Sequence, residues 1–139
     1  MGKKILIIDD DDQLAQALSR VLIQDGWTTA IAVDGADGIT KVAEFAPDVI
    51  LSDIKMPVLN GLEFLAELYK QNIEIPLIFM TGFRDFEYMK QAWSLCAFDF
   101  LDKPFNQANL LQVADNALKF GRDYVRTARR RYSTRRKVG

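Results

Sequence analysis

The sequence predicts a three-layer α/β/α sandwich built around a five-stranded parallel sheet. Short apolar runs rich in branched and aromatic residues alternate five times with longer segments of helical period, which is typical of successive βα units. The first, third and fourth runs are almost wholly apolar, as expected of strands that are buried on both faces. Because parallel connections are right-handed, such units stack as one twisted sheet with helices on both sides.

The predicted strands are short, and each is bounded by a turn signal or by the start of a helical segment. They span Lys4–Ile8, Trp27–Ala32, Asp48–Ser52, Pro76–Met80 and Ala97–Leu101.

Apolar residues at helical spacing predict one helix after every strand. Asp11 and Asp12 stand before the first stripe, where a helix favours an N-cap acid and acids in its first turn. The five stripes run over Leu14–Leu22, Ile39–Phe45, Leu62–Leu68, Asp85–Leu95 and Leu110–Leu118.

Composition excludes several classes of protein. The chain has 139 residues, 49% of them apolar, which suits one domain with a real core. A single cysteine, Cys96, and the lack of histidine exclude an internal disulfide and a Cys/His metal site. The start, Met1–Lys4, leads into only four apolar residues, and no run reaches membrane-spanning length. We therefore expect a soluble, cytoplasmic protein without membrane insertion.

Charge divides the chain into two predicted parts. Residues 1–120 carry ten basic and eighteen acidic residues, a net charge of −8, whereas residues 121–139 carry eight and one, a net charge of +7. The helical spacing continues past Gly121, so we predict a domain over 1–120 and a basic helical extension or linker over 121–139. Contact of this tail with nucleic acid or anionic lipid is the alternative, but no groove-reading motif accompanies the charge.

Polar residues follow four of the five predicted strands, at places that apolar packing does not explain. Asp9 and Asp10 follow the first strand, Asp53 the third, Thr81 the fourth and Lys103 the fifth. In open α/β sheets ligands bind outside the carboxyl ends of the strands. We therefore expect these side chains to converge on one site.

The chemistry of this set indicates phosphoryl transfer. Carboxylates that a fold forces together repel each other unless a cation lies between them, and an oxygen-only set favours a hard ion such as Mg2+, with Mn2+ as a substitute. Lys103 supplies a positive charge and Thr81 a hydroxyl for phosphate oxygens. Asp53 is the best candidate nucleophile, because it stands alone while Asp9 and Asp10 are adjacent and suited to holding the ion.

Four motifs carry a resemblance to a known family: ILIIDDDD, PDVILSDIKMP, FMTG and DFLDKPF, in this order. The sequence resembles the receiver domain of two-component response regulators from Lys3 to about Phe120. The resemblance implies a flavodoxin-like sheet of order 2-1-3-4-5 and a phosphoacceptor at Asp53. It also implies metal ligation by Asp9, Asp10, Asp53 and the main-chain carbonyl of Lys55.

The same resemblance implies phosphate contacts for Thr81 and Lys103, and a cis peptide bond before Pro104. Phe100 occupies the aromatic position that, in the family, moves inward when the hydroxyl, here Thr81, approaches the phosphoryl group. The altered surface would be formed by the fourth helix, the fifth strand and the fifth helix. A second distinctive neighbour is Phe83, and we hypothesise that its bulk hinders the hydrolytic water.

The implied partners are a histidine kinase or histidine phosphotransfer protein as donor and an output domain or partner protein as target. A homodimer would use the surface of the fourth helix, fifth strand and fifth helix, or the C-terminal helix, where Tyr124, Ala128 and Tyr132 recur every four residues. We expect no nucleic-acid contact from this domain alone.

Three rival functions remain open from the residues. An aspartate-nucleophile phosphatase would share the acids and the ion, but it would need a second acid where Lys55 stands. A flavin or nucleotide carrier would need a glycine-rich loop after the first strand, where acids stand instead. A receiver-like domain that only binds partners would not need the full set of chemical residues.

Overall fold

The computed structural model describes residues 2–56, 59–82, 85–95 and 97–138, with side chains described as far as Arg130. Strands and helices alternate throughout, as the periodicity predicts. The strands are β1 Lys3–Ile8, β2 Trp27–Ala32, β3 Val49–Asp53, β4 Leu77–Thr81 and β5 Asp99–Asp102. The helices are α1 Asp12–Gln24, α2 Gly35–Phe45, α3 Gly61–Lys70, α4 Phe86–Ser94 and α5 Gln107–Val138.

The sheet is parallel and its strand order is β2-β1-β3-β4-β5, which confirms the predicted order. Its two faces have separate apolar cores because side chains alternate along each strand. Leu6 and Ile8 of β1 pack with residues of α2, α3 and α4, while Ile5 and Ile7 pack with residues of α1 and α5. Two helices therefore cover one face and three cover the other.

Polar side chains fix where the helices begin. The Asp11 side chain accepts a hydrogen bond from the Leu14 N–H at 3.1 Å, which confirms the predicted N-cap of α1. Asn60 and Glu63 form a reciprocal capping box at the start of α3. These caps set the path of the loops that leave the carboxyl ends of β1 and β3.

Helix α5 continues well past Gly121, and its continuation lies against the amino-terminal edge of the sheet. Gly121 is in close contact with Pro76, and a Cβ atom at this glycine would lie 2.4 Å from the proline Cγ. Val125 and Ala128 are buried. The Tyr124 hydroxyl donates a hydrogen bond to the carbonyl of Ala97 at 3.1 Å. Residues 121–128 thus make tertiary contacts with the preceding domain.

Within the described residues, no helix is both long enough and apolar enough to span a membrane.

Candidate functional site

The carboxyl ends of the strands bring the predicted site residues together. Asp9 directly follows β1, and its N–H donates to the Ala32 carbonyl at the end of β2. Asp53 and Thr81 are the last residues of β3 and β4, paired in register with Met80 and Asp102. We expected both to follow their strands. They lie inside the ladder because main-chain pairing does not depend on the polarity of the side chain.

Three acids form a compact group at this edge. One carboxylate oxygen from each of Asp9, Asp10 and Asp53 lies within 4.8 Å of the others. Asp9 is only 1% exposed and Asp53 only 6%, whereas Asp10 is exposed. A local hydrogen bond holds the loop between β1 and α1, because Asp9 Oδ1 accepts the Asp11 N–H at 2.9 Å.

The second oxygen of Asp9 has no hydrogen-bond partner among the described residues. Oδ2 is fully buried and accepts no hydrogen bond from any described residue. A buried carboxylate oxygen without a partner carries a desolvation cost that a cation or a proton would relieve. This oxygen is therefore a candidate ligand for a cation.

The burial of the Asp9 carboxyl raises its pKa. Burial is the main cause that raises its pKa from 3.8 to about 6, and the charges of Asp53 and Asp10 act in the same direction. The Asp11 N–H and the charge of Lys103 oppose this shift without cancelling it. In the protein alone, Asp9 thus retains a proton at mildly acid pH.

Lys103 balances part of the negative charge. Its Nζ lies 3.0 Å from Asp53 Oδ2, and the Lys55 N–H donates to the other oxygen, Oδ1, at 3.2 Å. Burial lowers the pKa of Lys103, but the hydrogen bond from its ammonium group to Asp53 and the neighbouring acids outweigh burial, so the net shift is upward. Lys103 is therefore a fixed positive charge beside the Asp53 carboxylate.

This set of donors fits a divalent cation. Three carboxylates are crowded together, and one of their oxygens is buried without a hydrogen-bond partner among the described residues. The chain has no histidine, and the described part of it brings no sulfur ligand to this group. Hard cations such as Mg2+ bind to sites of this composition. For Lys55 the structure shows a contact of the backbone N–H only. The role of its carbonyl as a ligand stays a prediction.

The remaining predicted residues surround this group. Thr81 is 2% exposed, and its carbonyl accepts the Lys103 N–H at 2.8 Å, which ties β4 to the loop that follows β5. The Lys103–Pro104 peptide bond is cis. Phe100 lies between the rings of Phe79 and Trp93, with centroid distances of 6.3 and 5.0 Å. Phe83 lies outside the described residues.

Two residues near the site escaped the sequence analysis. Gly61 packs so closely that a Cβ atom there would lie 3.0 Å from the Asp53 carbonyl oxygen and 2.5 Å from Phe79. Asp85 is buried, and its carboxylate accepts the Gly82 N–H at 2.7 Å. The spacing of a glycine and an acid three residues later, directly after β4, was the available signal for Asp85. The sequence alone predicts only the start of a helix there.

Comparison with known proteins shows to which family the chain belongs. A sequence profile of the response regulator receiver domain matches residues 5–115, which is well over half of the chain. The chain belongs to the receiver-domain family. Receiver domains are the phosphorylation-dependent switches of two-component response regulators, and they act as phosphoacceptors rather than as enzymes in the usual sense.

Curated relatives of this receiver domain are longer proteins. The C4-dicarboxylate transport transcriptional regulatory protein DctD of Pseudomonas aeruginosa is 38% identical over 119 residues, which are 86% of this chain and 26% of that protein. The DNA-binding transcriptional regulator NtrC of Escherichia coli is 32% identical over 114 residues, 82% of this chain and 24% of that protein. The receiver domain spans about a quarter of the length of these relatives.

Solved structures agree with the fold. The receiver domain of NtrX from Brucella abortus has a TM-score of 0.78 at 31% identity, covering 83% of this chain and 98% of its own. A response regulator receiver domain protein from Clostridium thermocellum has a TM-score of 0.79 at 31% identity, covering 84% of this chain and 94% of its own.

Proposed function

We propose that Asp53 accepts a phosphoryl group from a phosphohistidine of a partner protein. A histidine kinase or a histidine phosphotransfer protein would be that partner, because the chain has no histidine of its own. In the transfer, the bond from phosphorus to the partner's imidazole nitrogen breaks and a bond from phosphorus to a carboxylate oxygen of Asp53 forms. The imidazole leaves with the electron pair of the broken bond.

The observation that carries the proposal is the ion pair between Asp53 and Lys103 within a group of three acids. Lys103 is positioned to pair with a phosphoryl oxygen once the Asp53 carboxylate is esterified, and Thr81 supplies a hydroxyl at the next strand end. Asp9, Asp10, Asp53 and the Lys55 carbonyl would hold Mg2+, or Mn2+ in its place. The ion would neutralise charge that develops on the transferring group.

The switch would act through the face formed by α4, β5 and α5. Phe100 is the link we propose, because it lies on β5 between Phe79 of the core and Trp93 of α4. When Thr81 turns toward a phosphoryl group, the space beside it would admit the Phe100 ring, and the packing of Trp93 would change. A two-state shift of this kind can be detected by a partner.

The relatives of this receiver domain suggest what its switch controls. Its relatives are described as transcriptional regulators, and we propose that this receiver domain likewise controls an output domain or a partner protein. The basic segment 121–139 would serve as a helical extension or linker to that output. Its first arginines bind acids of the domain: Arg122 to Asp48, and both Arg126 and Arg129 to Glu74. These contacts support the linker role over nucleic-acid contact.

Dimerisation would use the face of α4, β5 and α5 or the end of α5. Of the predicted seam on α5, Ala128 is buried in the domain, Tyr124 is 36% exposed although its hydroxyl bonds to Ala97, and the side chain of Tyr132 lies outside the described residues.

Intact-mass measurement tests the proposal. We expect wild-type protein incubated with Mg2+ and acetyl phosphate to gain the mass of one phosphoryl group, and Asp53→Asn protein to gain none. The matched control is Asp99→Asn, an acid near the start of β5, which should behave as wild type. No adduct in the wild type would refute the proposal and favour a domain that only binds partners, and an equal adduct in Asp53→Asn would refute Asp53 as the acceptor.

A further inference from the structure

The continuation of α5 contacts the domain once in each of its turns. Gly121, Val125 and Ala128 are buried, and they follow one another at spacings of four and three residues, so they form one stripe on the helix. The stripe lies against the amino edge of the sheet, where Gly121 meets Pro76. Residues 121–130 are therefore packed as a part of the domain rather than as a separate linker.

Polar contacts fix this segment on the amino ends of the strands. The Tyr124 hydroxyl donates to the Ala97 carbonyl at 3.1 Å, in the turn that leads to β5. The Tyr124 ring also packs edge-on against Phe98, with 5.4 Å between the centroids. Arg122 lies 3.9 Å from the carboxylate of Asp48, which directly precedes β3. The segment thus contacts residues at the starts of two different strands.

Glu74, three residues before β4, makes the shortest polar contacts to the segment. Its Oε2 accepts a hydrogen bond from Arg126 Nε at 2.8 Å, and its Oε1 accepts one from Arg129 Nη1 at 3.1 Å. The bond from Arg126 is the main cause that lowers the pKa of Glu74, and the charges of Arg129 and Arg122 act in the same direction. One ionised carboxylate therefore holds two arginines that stand a turn apart.

The apolar stripe alone holds the segment weakly. It consists of one glycine, one valine and one alanine, which bury little apolar surface compared with larger side chains. Without the Glu74 carboxylate, Arg126 and Arg129 would repel each other on adjacent turns of the helix. Ion pairs at an exposed site are individually weak and are screened by salt. The docked position is therefore sensitive to the charge of Glu74.

We propose that Glu74, Arg126 and Arg129 form an electrostatic latch that holds residues 121–130 on the domain. With the latch closed, this segment is fixed and the chain beyond it leaves the domain in one direction. When ions screen or replace the Glu74 carboxylate, the latch opens and the segment becomes a free basic helix. The latch thus decides whether the segment is rigid or flexible. This inference rests on the linker role proposed above and does not require phosphorylation of Asp53.

Limited digestion of the full chain with trypsin tests the latch. Trypsin cuts after Arg126 and Arg129 when the segment is released, and the rate follows the population of the open form when cleavage is slow. Glu74→Gln removes the charge, keeps the shape and leaves every cleavage site in place. The matched control is Glu44→Gln, an exposed acid on α2, which packs on the opposite face of the sheet from α5.

Intact mass measures the cleavage rates at about 0.05 M and about 0.5 M sodium chloride, relative to an unstructured reference peptide. At low salt we expect Glu74→Gln to be cut after Arg126 and Arg129 about three- to tenfold faster than wild type, in keeping with the loss of two charged hydrogen bonds at an exposed site. High salt should bring wild type close to the variant, whose own rates should change little. Glu44→Gln should match the wild type.

Cleavage after Arg20 of α1 separates opening of the latch from a general loss of folding. We expect its rate to be equal in all three proteins. Equal cleavage after Arg126 in wild type and Glu74→Gln at low salt would overturn the latch, as would a Glu74→Gln protein cut faster to the same extent after Arg20. Neither result bears on Asp53, and a wild type that gains no phosphoryl group would refute the proposed function without changing these rates.

Discussion

At the scale of single residues, the site is defined by an imbalance of charge. Asp9, Asp10 and Asp53 contribute three carboxylates, and Lys103 is the cation that pairs with Asp53. The desolvation cost of this arrangement falls on Asp9, whose Oδ2 is buried without a hydrogen-bond partner among the described residues. An acid group of this kind favours ligands that bring positive charge to the carboxylates.

Asp9 should make the stability of the metal-free protein depend on pH. Its pKa is about 6 in the folded chain, above the ordinary value of 3.8, so the folded state holds this proton more tightly than the unfolded state. The resulting stabilisation is fully present below the unfolded value and is lost as the pH rises through the folded one. We expect wild type to lose about 1–3 kcal/mol relative to Asp9→Asn between about pH 4 and about pH 7.

Urea unfolding of both proteins in chelator, over that pH range, measures this difference. Addition of Mg2+ at neutral pH should then stabilise the wild type by mass action, and it should do so less in mild acid, where a proton competes for Asp9. A difference between wild type and Asp9→Asn that stays constant with pH would contradict the role we assign to Asp9.

At the scale of elements, the carboxyl ends of the strands carry the site. Strand β5 connects this site to helices α4 and α5. Phe98 precedes β5 and packs edge-on against Tyr124 of α5, with 5.4 Å between ring centroids. Phe100, two residues later, contacts Trp93 of α4. A single short strand thus joins the acidic site to both helices of the proposed output surface.

Trp93 should report the switch. Its side chain is 55% exposed and its ring lies 5.0 Å from that of Phe100, so a movement of Phe100 changes the surroundings of the indole. We expect the tryptophan fluorescence of wild type to shift in wavelength or intensity when Asp53 is phosphorylated. Trp27, buried in β2, should contribute a constant background.

Trp93→Phe should lose this response while it still gains the phosphoryl group. Asp53→Asn should show neither the response nor the adduct. The coupling through Phe100 would be refuted by a response that persists in Trp93→Phe, or by wild-type protein that is phosphorylated without any change in fluorescence.

Gly121 should be needed for the packing of α5. A methyl group there would meet the Pro76 ring at 2.4 Å, although alanine is the better helix former. We expect Gly121→Ala to lose about 1–3 kcal/mol of unfolding free energy through overpacking. Thr127→Ala is the control, because it also raises helix propensity in an exposed position of the same stretch. A Gly121→Ala protein as stable as wild type would show that this contact is unimportant.

The sequence predicted most of the fold because hydrophobic periodicity is strong in this chain. The apolar runs of β1, β3 and β4 and the cap at Asp11 all appear where the pattern placed them, to within one residue. Strand β5 begins at Asp99, two residues later than predicted. Its sequence is mixed, and its bounds are set by pairing with β4, which no local pattern encodes.

The sequence predicts which residues form the site but not all of the contacts between them. Asp53 and Lys103 were found because acids and a lysine after apolar runs have no packing explanation. The bond from Gly82 to Asp85 was not found, because an acid before a helix is normally read as an N-cap. The contact of Gly121 with Pro76 was missed for a similar reason, since it joins residues far apart in the chain.

At the scale of the whole molecule, the two edges of the sheet have opposite roles. The carboxyl edge gathers the acids of the site, while the amino edge binds the continuation of α5 through Glu74 and its two arginines. Contact with Arg126 is the main cause that lowers the pKa of Glu74, which keeps this pair charged under ordinary conditions. The acidic body and the basic extension are therefore partly matched to each other.

The central claim is that the phosphoryl group is attached to Asp53, and mapping of the attachment site tests it most directly. Borohydride reduces an aspartyl phosphate to homoserine, so protein treated with acetyl phosphate and Mg2+ and then reduced can be digested and sequenced by mass spectrometry. We predict homoserine at position 53 and unmodified aspartate at positions 9 and 10. Homoserine at either of those two positions, or at none of the three, would contradict the account.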